Sequence, residues 1–364
     1  MNNFEYAHLH RDEIVWMSQN TNQLGPRKLF DAAVKKALES RAYELYPPAL
    51  GVPALRDEVL KDIGSKGTAT ITNGGIEATY FLTRSLLQPG DRVISCDPSF
   101  MPIHNQVALC GAECFEIPVY DTGGKLIPEQ VNEAINPKTK MLLLIDPLNP
   151  LGTAYSKAEV KAFAELCADK GIYLIHDVTY RDFAFEHFSA EQFYPERTMT
   201  IYSFSKSCGM AGMRIGALIA PEPIMAQALR YNTNVLGVSL ISQMAALELL
   251  RSKKDWMHKM VAQARKNQEI IKKAVDGTGE LSMPFYPSNA NIFPISIERT
   301  GLDPDDIEAF LLREYNIFIR SGKYVSKRFG PRFIRVSFTV PEAGCRQFAK
   351  VLPEAIKKLK AKKR

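Results

Sequence analysis

From residue 69 to residue 221 the chain alternates short apolar runs with helix-like stretches, an alternation that leaves few folds open. The runs 69–71, 92–96, 113–117, 141–145, 173–176, 199–202 and 217–220 have strand length, and 77–87, 101–110, 128–135 and 157–170 carry helical spacing between them. Strands separated by helices build a mostly parallel sheet covered on both faces. Ligands of such sheets sit beyond the carboxyl ends of the strands, so reactive residues are sought just after each run.

The remainder is organised differently. Asn20, Asn22, Gly25 and Pro26 break up the segment 1–28, which reads as a polar, irregular arm. Helical spacing follows over 29–40 and 55–63, separated by a Pro-rich loop at Tyr46-Pro47-Pro48. A long helical stretch from Ser239 to about residue 275 is read as a bridge. Beyond it, 291–295, 317–320 and 333–338 look like strands, and 305–315 and 342–359 like helices. The expected division is an arm (1–28), a large α/β unit (29–250) and a smaller α+β unit (251–364), with 29–45 free to pack on the smaller one.

Net charge is +6, partly from the tail 357–364; no aromatic residues interleave that tail, so it is read as the solvated end of a helix, with no nucleic-acid partner. The start lacks a basic segment followed by an apolar run, and the longest apolar stretches are strand-sized, so neither a secretory signal nor a membrane partner is expected. Six cysteines form no CxxC pair, which reads as reduced thiols in a cytoplasm. His104, Cys110 and Cys114 are assigned to core packing, and no metal site is expected.

Four segments carry chemistry. Ser203-Phe204-Ser205-Lys206 puts a lysine on a small-residue turn, where its amine could condense with an aldehyde, and Arg214 follows in Gly212-Met213-Arg214-Ile215-Gly216. Thr72-Asn73-Gly74-Gly75-Ile76 follows one strand and opens a helix, an arrangement that offers backbone N–H groups to an anion. Asp146-Pro147-Leu148-Asn149-Pro150 fixes an amide donor between prolines whose X–Pro bonds are candidates for cis. Asp177 closes another strand, with Tyr180 three residues on, and Phe100 could stack on a ring. His176, beside Asp177, is read as a packed strand residue.

In these residues the chain resembles the class I/II aminotransferases of the pyridoxal 5'-phosphate (PLP) fold type I, over nearly its whole length. The resemblance implies a seven-stranded, mostly parallel sheet, a smaller α+β domain and PLP as cofactor. It assigns Lys206 to the cofactor aldehyde, Asp177 to the pyridine nitrogen, and Tyr180 and Asn149 to the phenolic oxygen. Gly75, Ile76, Ser203 and Arg214 take the phosphate, Phe100 the ring face, and Tyr46 the phosphate of a neighbouring subunit in a homodimer. Arg335 grips the substrate carboxylate; Arg320 and Asn22 join it in the substrate set. The implied reaction moves an amino group from an amino donor to a 2-oxo acid acceptor in ping-pong fashion.

Within the family the resemblance is strongest to histidinol-phosphate aminotransferases and their threonine-phosphate decarboxylase relatives, in which two arginines, matching Arg320 and Arg335, hold the substrate phosphate. The chain departs from the family pattern at Asp177-Val178-Thr179-Tyr180, where a glutamate usually follows the aspartate, and at Asn20-Thr21-Asn22. Lys323, Lys327, Arg328 and Arg332 make a dense basic run between the two arginines. These departures bear on substrate, leaving histidinol phosphate, aspartate and aromatic donors open. A decarboxylase or lyase on the same scaffold is the alternative, and a non-catalytic PLP-binding regulator a more distant one. A dinucleotide-dependent dehydrogenase is excluded because no GxGxxG opens a first βα unit.

Overall fold

The computed structural model describes residues 1–232 and 236–363. In chain order the strands are β1 (Val15–Trp16), β2 (Thr68–Thr72), β3 (Arg92–Asp97), β4 (Glu113–Pro118), β5 (Thr139–Ile145), β6 (Tyr173–Asp177), β7 (Thr198–Ser203), β8 (Gly216–Ala220), β9 (Ile292–Ser296), β10 (Ile317–Phe318), β11 (Arg320–Ser321) and β12 (Phe333–Ser337). The helices are α1 (Asn3–Leu9), α2 (Arg27–Glu39), α3 (Pro53–Ile63), α4 (Gly75–Leu86), α5 (Met101–Leu109), α6 (Pro128–Ala134), α7 (Lys157–Lys170), α8 (Glu222–Leu229), α9 (Leu240–Arg251), α10 (Lys253–Asp276), α11 (Pro304–Tyr315) and α12 (Glu342–Lys363).

Strands β2 to β8 form one seven-stranded sheet in the order β2-β8-β7-β6-β5-β3-β4. Only β8 runs against its neighbours; the other pairs are parallel. The central strands are buried over 141–145, 174–177 and 216–220, as their apolar runs require. One core cluster gathers Ile94, Leu142 and Leu174 with Leu82 of α4, Val107 of α5 and Phe163 of α7. A second gathers Ile71, Ala217 and Ile219 with Leu55 of α3, Ala33 of α2 and Leu249 of α9. Local chemistry sets the helix starts: Ser156 and Glu159 form a capping box at α7, and proline occupies the first turn of α3, α5, α6, α8 and α11.

Strands β11, β12 and β9 form an antiparallel sheet on which α10, α11 and α12 pack around Phe293, Ile295, Ile334 and Phe348. Three expectations need correction. The segment 1–28 is not irregular: Asn2 and Glu5 cap α1, β1 pairs in parallel with β10, and Met17 is fully buried among residues of this second core. The helix over 29–40 packs with the large sheet through Ala33 and beside α9, within the larger unit. The long stretch from Ser239 is two helices, broken at Ser252, whose hydroxyl bonds back to the Glu248 and Leu249 carbonyls. The basic tail continues α12 with Lys357, Lys358 and Lys362 exposed; Arg364 lies outside the described residues. No helix among the described residues is long and apolar enough to cross a membrane.

Candidate active site

Because β2, β3, β5, β6 and β7 run in parallel, their carboxyl ends meet along one edge of the sheet. A cavity of about 480 Å³ opens there, a volume suited to a cofactor with a small substrate. The residues that follow the strands line it: Gly75 after β2, Phe100 after β3, Asn149 after β5, Tyr180 after β6 and Lys206 after β7.

One end is built for an anion. Gly74 turns at φ 75° and Gly75 opens α4, so the first amides of a twelve-residue helix face the cavity beside Ile76. A Cβ on Gly74 would stand 2.3 Å from Arg214 Nη2, so glycine is what allows that guanidinium to lie against the turn. Arg214 donates to the Ala211 carbonyl at 2.9 Å, and Ser203 and Ser205 complete this end. Gly216 keeps β8 close: a Cβ there would meet the Gly75 nitrogen at 2.7 Å.

Asp177 lies buried in the middle. Burial raises its carboxyl from the usual value, while the Thr179 hydroxyl and amide pull it down; the amide contact is 3.0 Å. Thr179 thereby holds one oxygen of Asp177. Lys206 Nζ stands over the Tyr180 ring at 5.8 Å and donates to the Gln19 carbonyl at 3.1 Å. Burial, then the positive charges of Arg335 and Arg214, lower its amine to about 7, with Asp177 opposing. A lysine so placed is available as a neutral nucleophile and base near neutral pH.

The other end is cationic. Arg335 is buried and donates to Asn149 Oδ1 at 3.0 Å, which leaves the Asn149 amide nitrogen as a donor into the cavity. Burial and the neighbouring Arg320 lower the Arg335 guanidinium to about 10. Arg320 lines the same cavity beneath Tyr324. Of the basic run, Lys323 pairs with Asp303 and Asp305, and Arg332 with Asp121 and Glu298, outside the cavity.

One expected site residue stands elsewhere in this chain. Asn22 turns away, donating to the Ser207 carbonyl at 2.8 Å and accepting from the Leu24 amide. Its place is taken by Asn20, whose amide donates to the Tyr180 hydroxyl at 2.6 Å. Gln19 and Asn20 both adopt left-handed φ, near 57° and 56°, which brings Asn20 and not Asn22 to the cavity. Tyr46 is 78% exposed and outside the cavity. The Asp146–Pro147 and Asn149–Pro150 bonds are cis.

Among the described residues, two clusters of histidine with acidic or thiol groups lie outside the cavity. The ring nitrogens of His104 bond Ser95 Oγ and Glu116 Oε1, so its hydrogen-bonding capacity is used within the fold. His176 and His187 approach Asp146 Oδ2 at 3.5 and 3.6 Å. The Ala190 amide donates to His176 Nδ1, which leaves the ring proton on the nitrogen facing Asp146. A metal-bound histidine carries the opposite pattern, donating from its outer nitrogen.

Comparison with known proteins agrees with this geometry. The family described as "Aminotransferase class I and II" matches residues 12–352. An aspartate aminotransferase of Pyrococcus horikoshii is 29% identical over 86% of this chain and 83% of its own length. A histidinol-phosphate aminotransferase of Bacillus licheniformis is 30% identical over 91% of this chain and 88% of its own. The solved structure of a double mutant of Thermus thermophilus aspartate aminotransferase superposes with a TM-score of 0.85 at 25% identity, covering 97% of this chain and 95% of that one. The chain therefore belongs to the class I and II aminotransferase family, whose members are PLP-dependent transferases of amino groups.

Proposed function

We propose that the cavity holds PLP and that the enzyme transfers the amino group of an L-amino acid, or of a phosphate-bearing amine such as histidinol phosphate, to a 2-oxo acid. The observation that carries this reading is the half-buried Lys206 amine, lowered to about 7, between an anion cradle at Gly75 and Arg214 and a cationic end at Arg335. The donor set fits the cofactor group by group. The α4 amides, Ser203 and Arg214 would hold the phosphate, Asp177 the ring nitrogen, Asn149 and Tyr180 the phenolic oxygen, and Phe100 a ring face. When bound, PLP supplies an aldehyde for amines and a ring that accepts electrons.

The protein's own contributions follow from geometry. Lys206 Nζ, as a neutral amine, removes the proton from the donor's α-carbon and carries it across the site. Asp177, buried and held by Thr179, would keep a proton on the ring nitrogen of the bound cofactor. Arg335 and Arg320 clamp the donor's anionic group, and Arg335 at the same time orients Asn149. We infer a homodimer, because Tyr43, Leu45, Tyr46 and Leu236 leave apolar side chains exposed around the Pro47 loop, where a second copy would cover them. A cytoplasmic location is supported by six unpaired cysteines.

Single-turnover mixing of the PLP-loaded protein with individual amino donors tests the reading. The visible absorbance of the bound cofactor should fall with a competent donor and return on addition of a 2-oxo acid. Release of carbon dioxide, with the absorbance recovering before any 2-oxo acid is added, would instead identify a decarboxylase.

A further inference from the structure

Strands β11 and β12 set Arg320 directly opposite Arg335. Two guanidinium groups thus leave neighbouring positions and reach one cavity. Like charges facing each other across a strand pair repel, and the repulsion grows where water is scarce. The fold answers this with Glu308, on α11, which is 1% exposed. Its Oε1 stands 3.6 Å from Arg320 Nη1 and accepts from the Asn3 side-chain amide at 3.2 Å. Its other oxygen accepts the Ser321 N–H at 2.6 Å.

Among the described residues all three partners are donors, an environment that suits the ionised carboxylate. Burial pushes the carboxyl up from its usual value, and the Ser321 amide, Arg320 and Asn3 pull it back. Tyr324 covers Arg320 from another side, its ring centroid 3.3 Å from the guanidinium carbon. The protein, and not the ligand alone, therefore fixes where Arg320 points. Two positive charges and one negative leave the clamp with one.

We propose that Glu308 is a specificity-determining residue: by holding Arg320 and cancelling one charge of the arginine pair, it sets the site to take a singly charged carboxylate on the amino donor and to disfavour a doubly charged phosphate there. A carboxylate brings the cluster to neutrality. A phosphate dianion leaves an uncompensated negative charge in a poorly hydrated cavity, which is costly. The inference rests on the reading of Arg335 and Arg320 as the clamp for the donor's anionic group.

The experiment is the single-turnover assay on the PLP-loaded enzyme, comparing L-histidinol phosphate with L-histidine, L-aspartate and L-phenylalanine. The wild type is expected to react with its best carboxylate donor at higher kcat/KM than with histidinol phosphate. Glu308→Gln removes the charge and keeps the shape. It is expected to move the phosphate-to-carboxylate ratio about tenfold to a hundredfold toward phosphate, the scale of one unit charge at ~6–8 Å and an effective dielectric near 20. Glu308→Asp keeps the charge and should keep the wild-type preference. A wild-type preference for histidinol phosphate, an unchanged ratio in E308Q, or an equal shift in E308D and E308Q overturns the proposal. Arg320→Gln separates the two levels of inference. If it leaves every donor unaffected, the clamp reading itself fails; if it slows the donors while E308Q leaves the ratio fixed, only the charge-balance argument fails.

Discussion

Replacing Lys253 by methionine should destabilise the protein through charges that lie behind the cavity. Lys253, the first residue of α10, donates to Asp62 at 2.8 Å and to Asp182 at 2.7 Å. Arg181 pairs with the same two carboxylates, and the Tyr202 hydroxyl donates to Asp62 at 2.7 Å. The four charged side chains are between 9% and 17% exposed and sum to zero charge. Methionine preserves the length of the lysine stem and leaves one carboxylate without a counterion. Breaking a fully buried pair costs about 3–5 kcal/mol; residual exposure and the retained Arg181 reduce the expected loss here to about 2–4 kcal/mol at pH 7.

The pH dependence gives a second signature. Burial alone would raise the Asp182 carboxyl, but Arg181 and Lys253 hold it well below the usual carboxylate range. A carboxyl depressed in the folded state stabilises above its unfolded value, about 3.9, and that stability is lost as pH falls through the folded value. The deficit of Lys253→Met should therefore be full at pH 7 and shrink below about pH 4. Urea unfolding at several pH values measures it, and K253M/D182N, with charge balance restored, should recover most of the loss. A deficit under about 0.5 kcal/mol at pH 7, or one that does not change with pH, would refute the reasoning.

Other outcomes follow from the same geometry. Arg335→Lys should raise the KM for amino donors at least about tenfold, because an ammonium group cannot make the paired contacts of a guanidinium or hold Asn149 as well; steady-state kinetics decides it. Asn20→Ala should cost about 1–2 kcal/mol of stability by unpairing the buried Tyr180 hydroxyl, read by urea unfolding against Asn22→Ala. In the PLP-free protein Lys206 is lowered to about 7, chiefly by burial, so the unfolded chain binds more protons from there up to about 10.4. This group therefore makes stability rise with pH across that window, a rise that Lys206→Met should abolish.

The cavity-lining residues were legible in the sequence because each follows an apolar run, and a parallel sheet gathers such positions at one edge. Lys206, Asp177, Asn149 and Gly75 needed only that rule. What the sequence concealed depends on contacts between distant segments. The sequence points to Asn22 and not Asn20 because nothing in the residue types announces the left-handed pair at Gln19 and Asn20 that turns Asn20 toward Tyr180. Glu308 resembles any acidic residue of an amphipathic helix until the register of β11 and β12 puts two arginines beside it. The segment 1–28 looks irregular because β1 is very short and finds its partner at β10, near the opposite end of the chain. The break at Ser252 was hidden because a serine bonding back to the preceding turn leaves the apolar spacing undisturbed. The role expected of Tyr46 lies at a neighbouring subunit, so a single subunit leaves it exposed.

Borohydride reduction of PLP-treated protein, followed by peptide mass mapping, addresses the role of Lys206 without relying on activity. One pyridoxyl label per chain is expected on the peptide containing Lys206, absent from Lys206→Ala and prevented by an excess of competing amine. Labelling spread over surface lysines, or undiminished in Lys206→Ala, would contradict the assignment of this cavity as the cofactor site.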